Sequence, residues 1–166
     1  MKIEDVIIER LVGDAQKNAL EFAAYLRENK IQLEREVGGY WDDKFYYDGI
    51  FNDKFVCFVL ISNEEKTDPE SWAVWSDDSG SKWFEDYPFD ERLKEIAWKN
   101  VGVCGNETDT ACGGCPAIGG QAKTIFGKVF NNTCGTTFRF NNPNGIELEC
   151  LKKLVDIIIK DIEENI

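Results

Sequence analysis

The sequence predicts an α+β fold, an antiparallel sheet of about four to six strands covered by N- and C-terminal helices. Three observations lead there: amphipathic stretches at both ends, alternating or apolar strand-like runs between them, and a glycine- and cysteine-rich stretch with neither periodicity. At 166 residues the chain fits a single domain, 1–166, and is long enough to bury a core without covalent staples.

From Ile3 to about Asn29 the apolar residues Ile7, Leu11, Ala15, Ala19, Phe22 and Leu26 recur every three or four positions. That spacing predicts an amphipathic helix, with a possible break at Gly13. Residues 44–51 and 54–62 read as two strands joined at Asn52-Asp53, residue types that accept tight-turn geometry. The second of these runs, Phe55 to Ile61, is apolar on both faces and is therefore placed centrally in its sheet. Trp72 to Trp75 suggests a third strand, Asp90 opens a short helix carrying Leu93, Ile96 and Ala97, and Thr136 to Phe140 alternates as a late strand. The segment 125–130 fits a helix turn or a strand equally well. After Asn142-Pro143-Asn144 a last helix is expected, with Cys150, Leu154, Ile157 and Ile158 along its apolar stripe.

Charge narrows the partners. Nineteen Lys and Arg stand against 31 Asp and Glu, a net charge of −12. A field of that sign repels phosphate backbones and anionic lipid surfaces, so neither nucleic acid nor a membrane is an expected partner. Met1-Lys2-Ile3-Glu4-Asp5 carries acids where a secretory leader would be basic, and a cytoplasmic protein with reduced thiols is expected. The chain has no histidine, which removes His-dependent triads, dyads and zinc hydrolase sites.

Within 102–135, read as an insertion in the domain, lie eight of the 14 glycines and four of the six cysteines. The spacing is Cys104, seven residues, Cys112, two residues, Cys115, eighteen residues, Cys134. Two thiolates on one Cys-x-x-Cys turn reach a common ion, and two further cysteines complete a tetrahedral all-sulfur shell suited to structural zinc. Glycine follows Cys104, Cys112 and Cys134, and proline follows Cys115. Glycine there permits tight turns that aim backbone N–H groups at the sulfurs. An iron–sulfur cluster at the same four residues and a dithiol redox pair at Cys112 and Cys115 are the competing readings. Cys57 and Cys150 fall in apolar runs and are read as buried side chains.

Residues 42–95 hold 15 acids against six bases, a balance of −9, and all five tryptophans lie between 41 and 98. Large rings beside carboxylates suit a cationic or neutral organic ligand. Trp41, Tyr47, Trp75, Asp77 and Trp83 are the candidate binding residues. The leading expectation is a non-catalytic domain whose aromatic, acidic pocket holds a small ligand while zinc fixes a loop at its rim. The same surface would alternatively mask a basic protein partner, as an inhibitor module does.

Overall fold

The computed structural model describes residues 1–37, 44–62, 71–76, 87–104 and 120–165. The N-terminal stripe folds as two helices, α1 (Ile3–Arg10) and α2 (Gly13–Glu28). Leu11 and Val12 are extended between them and Gly13 sits at φ +60°, a conformation that costs glycine least. Leu11 is nevertheless buried, so the break turns the chain without interrupting the apolar stripe. Gln16 closes the junction, its side-chain amide donating to Leu11 O at 2.8 Å.

Four strands follow or flank the first hairpin: β1 (Gln32–Glu36), β2 (Lys44–Phe51), β3 (Lys54–Ser62) and β4 (Trp72–Ser76). The β2–β3 turn places Asn52 and Asp53 both at positive φ, the twist that an antiparallel pair needs for a two-residue connection. Next come α3 (Glu91–Lys99) and β5 (Val101–Val103), then β6 (Gln121–Ile125), β7 (Lys128–Asn141) and the long α4 (Ile146–Glu164). Asp90 caps α3 as anticipated, its carboxylate accepting from Arg92 N at 2.7 Å.

The sheet is antiparallel with seven strands, larger than the sequence indicated. Its order is β1-β2-β3-β4-β7-β5, with β6 also paired to β7. Three strands escaped the sequence reading. β1, Gln-Leu-Glu-Arg-Glu, is a polar edge strand with hardly any alternation, and β5 and β6 are three and five residues long. The ambiguous segment 125–130 is the β6–β7 hairpin, turning at Phe126 (φ +49°) and Gly127 (φ +85°). A bulky residue at positive φ is unfavourable locally; here Phe126 stacks on Phe89 with ring centroids 4.5 Å apart, which holds the turn against the core. The described parts of 102–135 are therefore strands of the common sheet.

Both terminal helices cover one face of that sheet, as the sequence predicts. From the helices, Ile3, Ile7, Phe22, Leu26, Leu151, Leu154 and Ile158 meet Tyr47, Val59, Val74, Trp72 and Phe140 from the strands in one core. The Tyr25 hydroxyl on α2 bonds α4 at Lys152 O (2.7 Å) and at the Asp156 carboxylate, and Lys152 pairs with Glu21 at 2.7 Å. Cys57 and Cys150 are core residues, and burial pushes both thiols up to about 12. No helix among the described residues is long and apolar enough to cross a membrane.

Candidate functional site

Two places in the fold gather chemistry: the sheet face away from the helices, and the root of the cysteine-rich segment.

The first follows from strand register. Side chains alternate across a strand, so residues paired in register along successive strands form one row on one face. Glu34 pairs with Asp48, Asp48 with Phe58, Phe58 with Trp75, and Trp75 with Arg139. The row thus crosses five strands, from two carboxylates through two rings to a guanidinium. Its neighbours Tyr47, Val59, Val74 and Phe140 point the other way, into the helix-covered core. Alongside the row, Phe55 lies 4.4 Å from Phe58 and Tyr46 meets Phe58 edge-on at 6.3 Å. The Arg139 guanidinium carbon stands 4.1 Å from the centroid of the Trp75 ring, a cation–π contact. Gly102 on β5 opens the lane for that side chain, since a Cβ there would come within 2.7 Å of Arg139 Nε.

Asp48 is the electrostatic focus of the row. Its Oδ1 is shielded from solvent and has no hydrogen-bond partner among the described residues. Burial, then Glu36 and Glu34 on the neighbouring strand, push its carboxyl up to about 6. A carboxylate held in that way gains from any cation brought to it.

Of the ligand residues named from sequence, Trp75 lies in this row, whereas Tyr47 does not. Tyr47 is 1% exposed on the helix side and its hydroxyl donates to Met1 O at 3.1 Å. Tyr47 and Trp75 occupy opposite faces, so the structure does not bring them together. Tyr47 is a core residue because it stands one position from Asp48, and one position on a strand is a change of face. Trp41, Asp77 and Trp83 lie outside the described residues. Asp48 and Arg139 were missed, although each carries a sequence signal: a charge set between apolar neighbours, Tyr47-Asp48-Gly49 and Phe138-Arg139-Phe140, marks the opposite face of an alternating strand.

No family model, curated protein or solved structure matches the chain. The reading of both places rests on their own chemistry.

The second place is built around Asn132. The described chain leaves β5 at Cys104 and re-enters at Gly120. Cys104 N donates to Asn132 O at 2.9 Å, Asn132 Nδ2 donates to Cys104 O at 3.1 Å, and Gly120 N donates to Asn132 Oδ1 at 3.0 Å. One side chain thereby ties both ends of the intervening segment to β7. It does so from φ +67°, a left-handed conformation that asparagine accepts better than most residues. Gly120 is required beside it, because a Cβ would come within 2.6 Å of the Asn132 Cα. Next in the strand, Thr133 pairs with Val103 on one side and Gln121 on the other.

Cys134 follows at once. Between Thr133 and Phe138 β7 uses five residues where β5 uses two, Val103 to Val101, so the cysteine sits in a wide bulge. Its Sγ lies 3.3 Å from Thr136 Oγ1. Burial raises its pKa, but hydrogen bonds from Thr136 and Arg139 and the charge of Arg139 outweigh this, and the net shift is downward, toward thiolate. Cys104 is buried and Cys134 half-buried, and both are free thiols. Cys112 and Cys115 lie outside the described residues, and no group of three or more metal-ligating side chains occurs among the described ones. Half of the four-cysteine set thus stands at the root of the segment that carries the other half. Of that set the described part is two thiols, Cys104 and Cys134, the latter biased toward its anion.

Proposed function

We propose that this protein is a non-catalytic binding domain in which the sheet face opposite the described helices holds a small organic ligand, cationic or neutral, on Phe58 and Trp75 with Asp48 as its charge partner. The observation that carries this is the solvent-shielded Asp48 Oδ1, without a hydrogen bond among the described residues, in register with two aromatic rings. A cation lying on the rings gains from their negative faces and from the carboxylate together.

In the same reading Cys104, Cys112, Cys115 and Cys134 hold a structural zinc ion that closes the segment rooted at Asn132. Four protein ligands leave no open position for a substrate, so the role assigned to the ion is cross-linking. Zinc at the Asn132 end of β7 and ligand at the Arg139 end are then supported by one strand.

Thermal-shift measurements at pH 8 with phenethylamine, trimethylphenylammonium, their neutral amide analogues and short aromatic peptides test the binding claim. Members of this panel raise the melting temperature of the wild-type chain, and the effect of the amines is lost in Asp48→Asn and Trp75→Ala. A wild-type chain indifferent to the whole panel would overturn the reading.

A further inference from the structure

The sequence contains a single Asn-Gly pair, Asn144-Gly145, and the fold places it at the entry to α4. We infer that Asn144 is a modification site, the asparagine at which this chain deamidates spontaneously through attack by the Gly145 backbone nitrogen. The fold itself demands the glycine. Gly145 sits at φ +51° and ψ −118°, and Glu147 N donates to Asn144 O at 3.0 Å. These are the marks of a type II′ turn with Gly145 at its first central position, where a side chain is disfavoured. The turn leads the chain from β7 into α4, whose Leu148, Leu151 and Leu154 reach the core. With glycine required there, no Cβ crowds the nitrogen that follows Asn144.

The chemistry needs only water and base. The Gly145 nitrogen gives up its proton and attacks Cγ of Asn144; the N–Cγ bond forms, the Cγ–Nδ2 bond breaks, and ammonia leaves. The two residues then share a succinimide ring. Water opens that ring at one carbonyl or the other, leaving aspartate or isoaspartate, and nothing is oxidised or reduced. Three conditions for this meet at the turn. Both residues are exposed, the Gly145 N–H donates no hydrogen bond among the described residues, and neither does the Asn144 side-chain amide. The aspartate product brings a carboxylate to the positive end of α4, beside Glu147 and Glu149, whereas isoaspartate adds a methylene to the backbone and lengthens the turn.

At the other described asparagines at least one condition fails. The side-chain amides of Asn29, Asn100, Asn132 and Asn165 are held by Tyr25 O, Ile96 O, Cys104 O and Asp161 O. Asn18 precedes Ala19 inside α2, whose amide belongs to the helix. Asn142 precedes Pro143, which has no N–H to lose. Asn52, Asn131 and Asn141 are each followed by a residue whose side chain crowds the nitrogen. The matching aspartyl pair, Asp48-Gly49, lies within β2 between its ladders to β1 and β3, so its backbone is not free to close a ring.

Ageing the purified chain in warm, mildly alkaline buffer, followed by intact mass and peptide mapping, tests the assignment. The peptide spanning Asn144 gains the mass of NH2 exchanged for OH and resolves into aspartate and isoaspartate forms. It does so about five- to tenfold faster than any peptide carrying the other described asparagines, the scale set by having first to open a hydrogen bond there. The rate rises with pH, because the attacking nitrogen must lose its proton. In Asn144→Gln, whose longer side chain closes the ring poorly, the gain at this peptide disappears while circular dichroism is unchanged, since the Asn144 side chain holds nothing in place. No gain at Asn144, a gain no faster than at the other described asparagines, or one that persists in Asn144→Gln overturns the assignment.

Discussion

The two faces of the sheet are made from the same strands, residue by residue, yet they do different work. Tyr47 and Asp48 are adjacent on β2, as are Val74 and Trp75 on β4 and Arg139 and Phe140 on β7. In each pair one member is packed beneath the helices and the other belongs to the polar aromatic row. The helix side is largely apolar, with Trp72 and Phe22 rings 6.3 Å apart in its centre and Ser76 the buried polar residue of β4 on that side. The other side mixes rings with charges, among them the solvent-shielded Asp48 carboxylate, and burying such a charge is costly for stability. Face assignment by register, rather than residue type, therefore separates the aromatics of the core from those of the row.

The sharpest way to break that contrast is to truncate one tryptophan on each face. Trp72→Ala removes a fully buried ring and costs roughly 3–5 kcal/mol, whereas Trp75→Ala costs about 1 kcal/mol or less, as for a side chain outside the core. Urea unfolding of both variants measures this, and equal losses would mean that the row is a second core. Smaller is the effect at the cysteine root. Asn132→Ala weakens zinc binding roughly 10- to 100-fold, the scale for losing a side chain that orients ligands from outside the coordination shell. Chelator competition reads it, with Asn131→Ala as the exposed neighbour for comparison. Cys112→Ser or Cys134→Ser should release the metal altogether in elemental analysis, and an unchanged metal content would remove zinc from the account.

The last effect is a pH dependence. Asp48 keeps its proton to about 6 in the folded chain, against about 3.9 for an unperturbed aspartate. Ionising it therefore costs folded-state stability: the cost is absent below about pH 4 and complete above about pH 6. Asp48→Asn lacks this cost, so the variant melts higher than wild type at pH 7 and the gap closes as pH falls toward 4. For a cationic ligand the sign reverses, and wild-type affinity rises as pH increases through about 6. A melting difference that does not change with pH would show that Asp48 is an ordinary surface carboxylate.

Much of this architecture was legible in the sequence because it depends on periodicity. The stripe through Ile7, Phe22 and Leu26 and the one through Cys150, Leu154 and Ile157 are buried as their spacing requires, and Asn52-Asp53 makes its hairpin. What escaped depends on partners instead of pattern. β1 is held mainly by β2 and gives the core Leu33 alone, so Glu34, Arg35 and Glu36 carry no strand signal. Phe126 stands at positive φ beside Gly127 with its ring stacked on Phe89, a contact distant in sequence. At the face away from the helices the acidic aromatic composition was legible, but not which residues share a row. That required the register, which moved the focus from Tyr47 to Asp48 and Arg139. At the cysteine cluster the four thiols were legible, whereas Asn132 was not, since its contribution is three hydrogen bonds to backbone groups distant in sequence.

β7 has a consequence for how the chain reaches this state. It is the strand on which β4, β5 and β6 all meet, and it pairs Ser76 with Phe138 across the greater part of the C-terminal half. The ladder β1 to β4 joins neighbours in sequence and can assemble early, as can the β6–β7 hairpin. Until β7 arrives, however, the partly buried edge of β4 displays unpaired backbone groups, the template on which chains add to one another. Assembly of the sheet is thus a race between β7 and a second molecule. Crowded expression at slow folding temperatures should be where this protein is most easily lost to aggregates.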